Sequence, residues 1–312
     1  MNNYIPGMRI FSLCHREEVL KHGALEGNFF RVVLRNPFPD NVTLSKKIKE
    51  YFSQSTSKLL PNYFGRQRFG WHRPTGHVLG RYILKRKPLE GMKRFISLDL
   101  IEEPEQIRHE RNQLNSILDS NDKDLSKNLS LIFLRKEQNI VKAIFKYEHD
   151  PWKIVYFFPR TSILFYIHSV SSYLFNLYLL KRMERKFPPN KPISGEKIHN
   201  STPMAPTVGY RTPEELDLKT DCGRLIQEIM TELNLEFTDF NLQDQKHIWT
   251  TIKGSWRPIT VQWKSLTVFP KSKHSTLLSR MLNTSKIQKV QLLKLSWLQV
   301  PIFQYFSETS RN

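Results

Sequence analysis

Asn62-Tyr63-Phe64-Gly65-Arg66-Gln67-Arg68-Phe69-Gly70, preceded by Pro61, sets three aromatic rings, two guanidinium groups, two side-chain amides and two glycines in nine positions. The glycines let the backbone approach a partner closely, the rings offer faces on which bases stack, and the arginines suit phosphates. A plainer alternative stays open on chemistry alone: a glycine-bearing aromatic turn that caps a sheet.

Working outward, residues 29–34 (FFRVVL) follow a Gly-Asn pair and are dense in β-branched and aromatic side chains, which predicts a strand entered from a turn. NPFPDN at 36–41 forces a loop, and residues 42–52 place Leu44, Ile48 and Phe52 on one side of a helix with lysines on the other. Downstream, residues 76–86 read as a helix whose basic end, Lys85-Arg86-Lys87, stops at Pro88. Residues 100–118, charged at most positions, predict a surface helix, and DSNDKDLSKN at 119–128 a polar loop. The Pro-, Gly- and polar-rich run at 187–206 predicts a long irregular stretch, a kind of loop that is usually functional or mobile. Thr212-Pro213-Glu214-Glu215 has the form of a helix start, residues 223–233 carry a buried stripe of Leu225, Ile229 and Leu233, and residues 260–268 alternate as a strand.

The chain of 312 residues is long enough for two domains. Its 48 Lys plus Arg against 29 Asp plus Glu give a formal charge of +19, a field that concentrates polyanions and makes a nucleic acid the expected partner. Two distant cysteines, Cys14 and Cys222, build neither a disulfide framework nor a cysteine-rich zinc site, and no secretory leader pattern is present, which fits an intracellular location. Residues 162–180 are apolar enough to suggest a membrane span. However, Ile163, Ile167, Val170, Leu174 and Tyr178 fall on one face and Ser162, Tyr166, Ser169, Tyr173 and Asn176 on another, which predicts an amphipathic helix buried on one side in a globular protein. His15 with His22, or His72 with His77, match no zinc spacing, and no phosphate-binding glycine loop or nucleophile elbow appears.

NYFGRQRFG resembles the signature of the TruD family of tRNA pseudouridine synthases, and three further stretches fall in that family's order. GALEGNFFRVVLR at 23–35 is similar to the segment in which Gly-Asn-x-Phe leads into a central catalytic-domain strand. FYIHSVSSYLFNLYLLKR at 165–182 is similar to a family helix: Ser172, Phe175 and Asn176 match, while Ser169 and Ser171 stand where alanine and glutamine are common. Thr207-Val208-Gly209-Tyr210 and Gly254-Ser255-Trp256-Arg257-Pro258 resemble the family's Gly-Tyr turn and Gly-x-x-Arg-Pro stretch. The likeness runs from about residue 20 to 265 and is weak between 100 and 155.

The resemblance implies an α/β (α+β) protein: a pseudouridine synthase catalytic fold, amino-terminally incomplete, over 1–60 and 258–312, with a family-specific TRUD insertion domain over 61–257 and a basic cleft between them for RNA. It implies isomerisation of a uridine in tRNA, most often position 13 in the D arm, with related members acting on other RNAs, and with no cofactor, no metal and no membrane, in the cytoplasm. Asn28 and Phe30 are expected to hold the uracil, by amide readout and stacking; an inward-facing core Phe30 is the alternative on residues alone. Asn62, Tyr63, Phe64, Gly65, Gln67, Arg68 and Phe69 are expected near the active site. Arg66, Arg68, His72, Arg73, Arg257 and the Lys85, Arg86, Lys87 cluster are expected to contact RNA, with Arg257 either backbone-binding or structural.

In the family an aspartate in a Gly-x-x-Asp-Lys-x-Ala motif attacks the nucleotide, upstream of Gly-Asn-x-Phe. No aspartate occurs among residues 1–26, and the only Asp-Lys pair, Asp122-Lys123, lacks the flanking glycine and alanine. The catalytic residue is therefore not assigned. The expectation is a fragment or one half of a split enzyme, working with an amino-terminal partner polypeptide, or else an RNA-binding homologue without chemistry.

Overall fold

The computed structural model describes residues 28–35, 41–54, 59–70, 73–98, 103–246, 248–272 and 275–283. The chain divides into two compact units, one from residues 1–58 and 262–287, the other from 59–261 and 288–312.

In the first unit, strand β1 (Asn28–Arg35) is followed by helix α1 (Asn41–Gln54), whose Ile48 and Ser45 turn inward while Lys46, Lys47 and Lys49 face water. β1 pairs antiparallel with the last of the described strands, Ser275–Asn283, from Asn28 opposite Leu282 to Arg35 opposite Ser275. That last strand also pairs antiparallel with Thr260–Ser272.

The second unit opens with β2 (Leu59–Pro61) and is mostly helical. Helices α2 (Gly76–Leu84) and α3 (Pro88–Ser97) are separated by Lys85, Arg86 and Lys87; Pro88 takes the first helical turn of α3, where its missing N–H costs nothing. Helix α4 (Glu105–Ser120) ends at Asn121 in the left-handed conformation, and α5 (Lys123–Asn128) starts at once, capped by Asp122, whose Oδ1 accepts from Leu125 N at 2.8 Å. The expected polar loop at 119–128 is thus largely a short helix, and Asp122 holds its first turn. Helices α6 (Arg135–Lys146) and α7 (Trp152–Val155) lead to α8 (Arg160–Glu184), the spine of the unit.

α8 is long and apolar enough to cross a membrane by length and composition, yet 67% of its most apolar window is buried within the protein. All five positions of its expected apolar stripe are buried. Its polar face is not solvated throughout: Ser169 is buried against α2 and Asn176 against the 62–70 loop, which also covers the neighbouring Ser172. At Gly80 of α2 the backbones meet so closely that a Cβ would lie 2.1 Å from the Tyr166 carbonyl oxygen.

α4 also departs from a purely exposed helix. Arg111 is fully buried, its guanidinium fastened to Glu103 at 2.7 Å through Nε and NH2 and to the Ile96 carbonyl at 2.9 Å. The preceding residue, Glu110, is buried too and accepts from the amides of Ile132, Phe133 and Leu134, at 2.8 Å from Leu134 N and 2.9 Å from Ile132 N. The turn so held displays Ile132 and Phe133 to solvent.

Beyond α8, residues 187–206 are not irregular throughout. A hairpin of β3 (Lys197–His199) and β4 (Thr202–Thr207) occupies their second half, and β4 pairs antiparallel with β5 (Ser255–Pro258). The first half is fixed by a buried ion pair of Arg182 with Glu196 at 2.9 Å; Arg182 also donates to the carbonyls of Pro188 and Lys191, and Tyr178 donates to Glu196 at 2.6 Å. Helices α9 (Thr212–Glu215) and α10 (Asp221–Glu232) complete the unit, the latter burying Leu225 and Ile229 as expected. Strand β6 (Thr260–Ser272) then leaves it, ahead of β7 (Ser275–Asn283).

Candidate nucleic-acid interface

Residues 62–70 form a loop with one turn of 3-10 helix at Arg66–Arg68, and α8 and β5 hold it at both ends. At its start Asn62 donates from Nδ2 to the Pro258 carbonyl at 2.7 Å and from its backbone N–H to Ile259 O at 2.9 Å. In return Arg257 NH2 donates to Asn62 Oδ1 at 2.8 Å. In mid-loop, Asn176 of α8 bonds both backbone groups of Phe64.

The Phe64 ring lies edge-on to Phe175, centroids 5.6 Å apart, and the Arg257 guanidinium sits 4.0 Å from its centroid with Arg68 at 5.6 Å. Arg68 Nε donates to Ser172 Oγ at 2.9 Å, and that hydroxyl donates on to the His168 carbonyl. Two guanidinium groups thus share one aromatic ring, a cation–π arrangement that gains as water is excluded. Burial, then the neighbouring Arg68 charge, bring Arg257 down to about 10. Burial likewise lowers Arg68 and pushes the Tyr63 phenol up to about 12, where it donates to the Met183 sulfur at 3.3 Å.

At the far end Phe69 is buried edge-on to His77 and Tyr173, whose rings lie 4.3 Å apart. Desolvation, then Arg81, hold the His77 imidazole down at about 3; its Nδ1 is buried with no hydrogen-bond partner among the described residues. Gly70 takes φ +121 and packs where a Cβ would strike the Arg73 carbonyl oxygen at 2.1 Å, so no other residue fits this turn.

The structure therefore brings Asn62, Phe64, Arg68 and Arg257 into one cluster, with Tyr63, Gly65 and Arg66 along the same loop and Gln67 exposed at its surface. Arg73 stands apart, facing Glu103 at 3.3 Å, donating to Leu98 O at 2.7 Å and lying 5.4 Å from the Phe95 centroid. Lys85 pairs with Asp239 at 3.1 Å, and Arg86 is bound to Asp244 and to the carbonyls of Leu84, Asp239 and Asn241. Of that triplet, Lys87 is the exposed one. His72 lies outside the described residues; Asn28 and Phe30 are described only as β1 backbone, opposite Leu282 and Arg280. Among the described residues no group of three His, Cys, Asp or Glu side chains could hold a metal ion.

Sequence reasoning matched Ser172, Phe175 and Asn176 to a family helix but did not foresee that they grip the loop. It missed the His77–Tyr173 pair and the Glu110 turn, for which no local spacing gives a signal.

A solved structure from Methanosarcina mazei assigned to tRNA pseudouridine synthase D superposes with a TM-score of 0.67, covering 83% of this chain and 66% of that one at 22% identity. The family model for tRNA pseudouridine synthase D (TruD) matches residues 1–208, and the chain belongs to that family. Proteins named probable tRNA pseudouridine synthase D are 25% identical over 248 residues in Methanopyrus kandleri, covering 78% of this chain and 58% of that protein. In Pyrococcus furiosus the match is 34% over 181 residues, covering 57% and 41%. The chain thus spans about half the length of the curated relatives it matches.

Proposed function

We propose that this chain carries the tRNA-holding and uracil-holding parts of a TruD-type pseudouridine synthase, acting on a uridine in tRNA. The unit of residues 59–261 serves as the family's insertion domain and the strands of the other unit as part of its catalytic domain. Asn28 and Phe30 hold the extruded uracil, and Arg66 and Lys87 with the 62–70 loop contact the RNA backbone. The nucleophilic aspartate comes from a Gly-x-x-Asp-Lys segment, either on a longer form of this chain or on an amino-terminal partner polypeptide.

What carries this reading is the 62–70 loop, whose rings and guanidinium groups are held rigidly by α8 and β5 in a chain of formal charge +19. A basic loop so held, with Gln67 exposed on it, suits a protein that must take a base out of its stack before reacting with it.

The test is pseudouridine mapping by carbodiimide primer extension on unmodified tRNA, with this chain alone and with a polypeptide bearing the Gly-x-x-Asp-Lys segment. A new stop at a D-arm uridine that appears only with the second polypeptide is expected. Turnover by these 312 residues alone would refute the external nucleophile. Tight tRNA binding with no turnover in either mixture would favour an RNA-binding homologue without chemistry.

A further inference from the structure

We propose that a cavity at the end of the 62–70 loop is a guanine-selective subsite for the bound RNA; this rests on the RNA-binding function proposed above. The cavity is an open cleft of about 440 Å³, and Phe69 and Gly70 are part of its lining. Its apolar wall is built from Phe95, Phe165 and Tyr166, with Phe95 and Phe165 each centred 5.9 Å from Tyr166. Such a wall offers a base a stacking surface.

Glu137 of α6 reaches the same cavity and makes no hydrogen bond or ion pair among the described residues. Its charge and that of Arg73 act on the Tyr166 phenol in opposite directions, so a carboxylate and a guanidinium both border the space. A cation in this aromatic cleft would meet the Arg73 charge. A neutral base that presents donors on one edge and an acceptor beside them would not.

Guanine is the RNA base that presents two adjacent N–H donors, N1–H and N2–H, on its Watson–Crick edge, with O6 next to them. Both donors suit the Glu137 carboxylate, and the hydroxyls of Thr161 and Ser162 are available to O6. Adenine instead points a ring acceptor at the carboxylate, and uracil and cytosine each offer a single donor group there.

Equilibrium dialysis of the full chain against GMP, IMP and AMP tests this. IMP lacks only the 2-amino group, so that comparison needs no variant. GMP is expected to be retained best and IMP about tenfold less, the factor one charge-assisted hydrogen bond provides. Glu137→Gln is expected to bring GMP down to the IMP level and leave AMP unchanged. Equal retention of the three nucleotides, or GMP held as well by Glu137→Gln, overturns the proposal. Parallel binding of unmodified tRNA separates the two readings. A chain that selects GMP but ignores tRNA keeps the subsite and loses the RNA function; one that binds tRNA without selecting GMP does the reverse.

Discussion

The side-chain amide of Asn176 closes a two-bond ring on the backbone of Phe64, accepting from its N–H at 2.8 Å and donating to its carbonyl at 3.0 Å. Asn176→Asp keeps the shape and removes the donor, setting a carboxylate oxygen against a carbonyl. A loss of about 1–3 kcal/mol of stability is expected, with faster proteolytic cleavage within 62–70, read by urea unfolding and limited proteolysis. An unchanged midpoint would mean that the loop is held elsewhere.

Arg257→Lys preserves charge but not the planar group that faces Phe64 and reaches Asn62. Thermal unfolding is expected several degrees lower, while the salt dependence of tRNA binding stays as in the wild type. In Arg257→Ala, which removes the charge, a shallower salt slope would instead place Arg257 on a phosphate.

His77 has a folded-state pKa of about 3, below its ordinary 6.5. Between those values the unfolded chain binds the proton and the folded chain does not, so stability falls as pH drops from about 6.5 towards 3. The slope is at most about 1.4 kcal/mol per pH unit, and less for a ring that keeps an exposed edge. In His77→Phe, which retains the aromatic contacts with Phe69 and Tyr173, denaturant midpoints measured from pH 7 to pH 4 should fall less steeply than in the wild type.

Glu110→Gln replaces one acceptor oxygen by an N–H2 group that faces donors in the 132–134 turn. Loss of about 1–3 kcal/mol is expected, together with faster amide hydrogen exchange at Ile132, Phe133 and Leu134. Exchange unchanged at those amides would show that the turn does not need its carboxylate.

Lys87 and Arg86 are adjacent yet should respond differently. Arg86→Ala removes bonds to three carbonyls and to Asp244 and should lower the unfolding midpoint. Lys87→Ala should leave stability alone and reduce the salt slope of tRNA binding by about one. Identical effects from the two substitutions would contradict this division of roles.

The strand at Asn28–Arg35, the helix from Asn41 and the apolar stripe of α8 were legible because each is a periodic pattern with a turn signal beside it. The polar side of α8 misled because Ser172 and Asn176 are buried by partners 104 and 112 residues away, and no local period reports such pairs. Residues 119–128 looked like a loop by composition; Asp122 as an N-cap turns the same polar run into a helix. In 187–206 the ordering comes from Arg182 and Glu196, two charges that sequence habit places in water. The nine residues from Asn62 were legible as a motif. Their rigidity was not, since Arg257 joins them from 195 residues downstream.

The meeting of Gly80 with the Tyr166 carbonyl leaves no slack between α2 and α8. Gly76, one turn before it, also lies against Tyr166 and Ser169, so the two helices are seated on each other along a glycine-lined stripe. Any larger side chain at position 80 would act as a wedge, forcing α2 away from the helix that also grips the 62–70 loop.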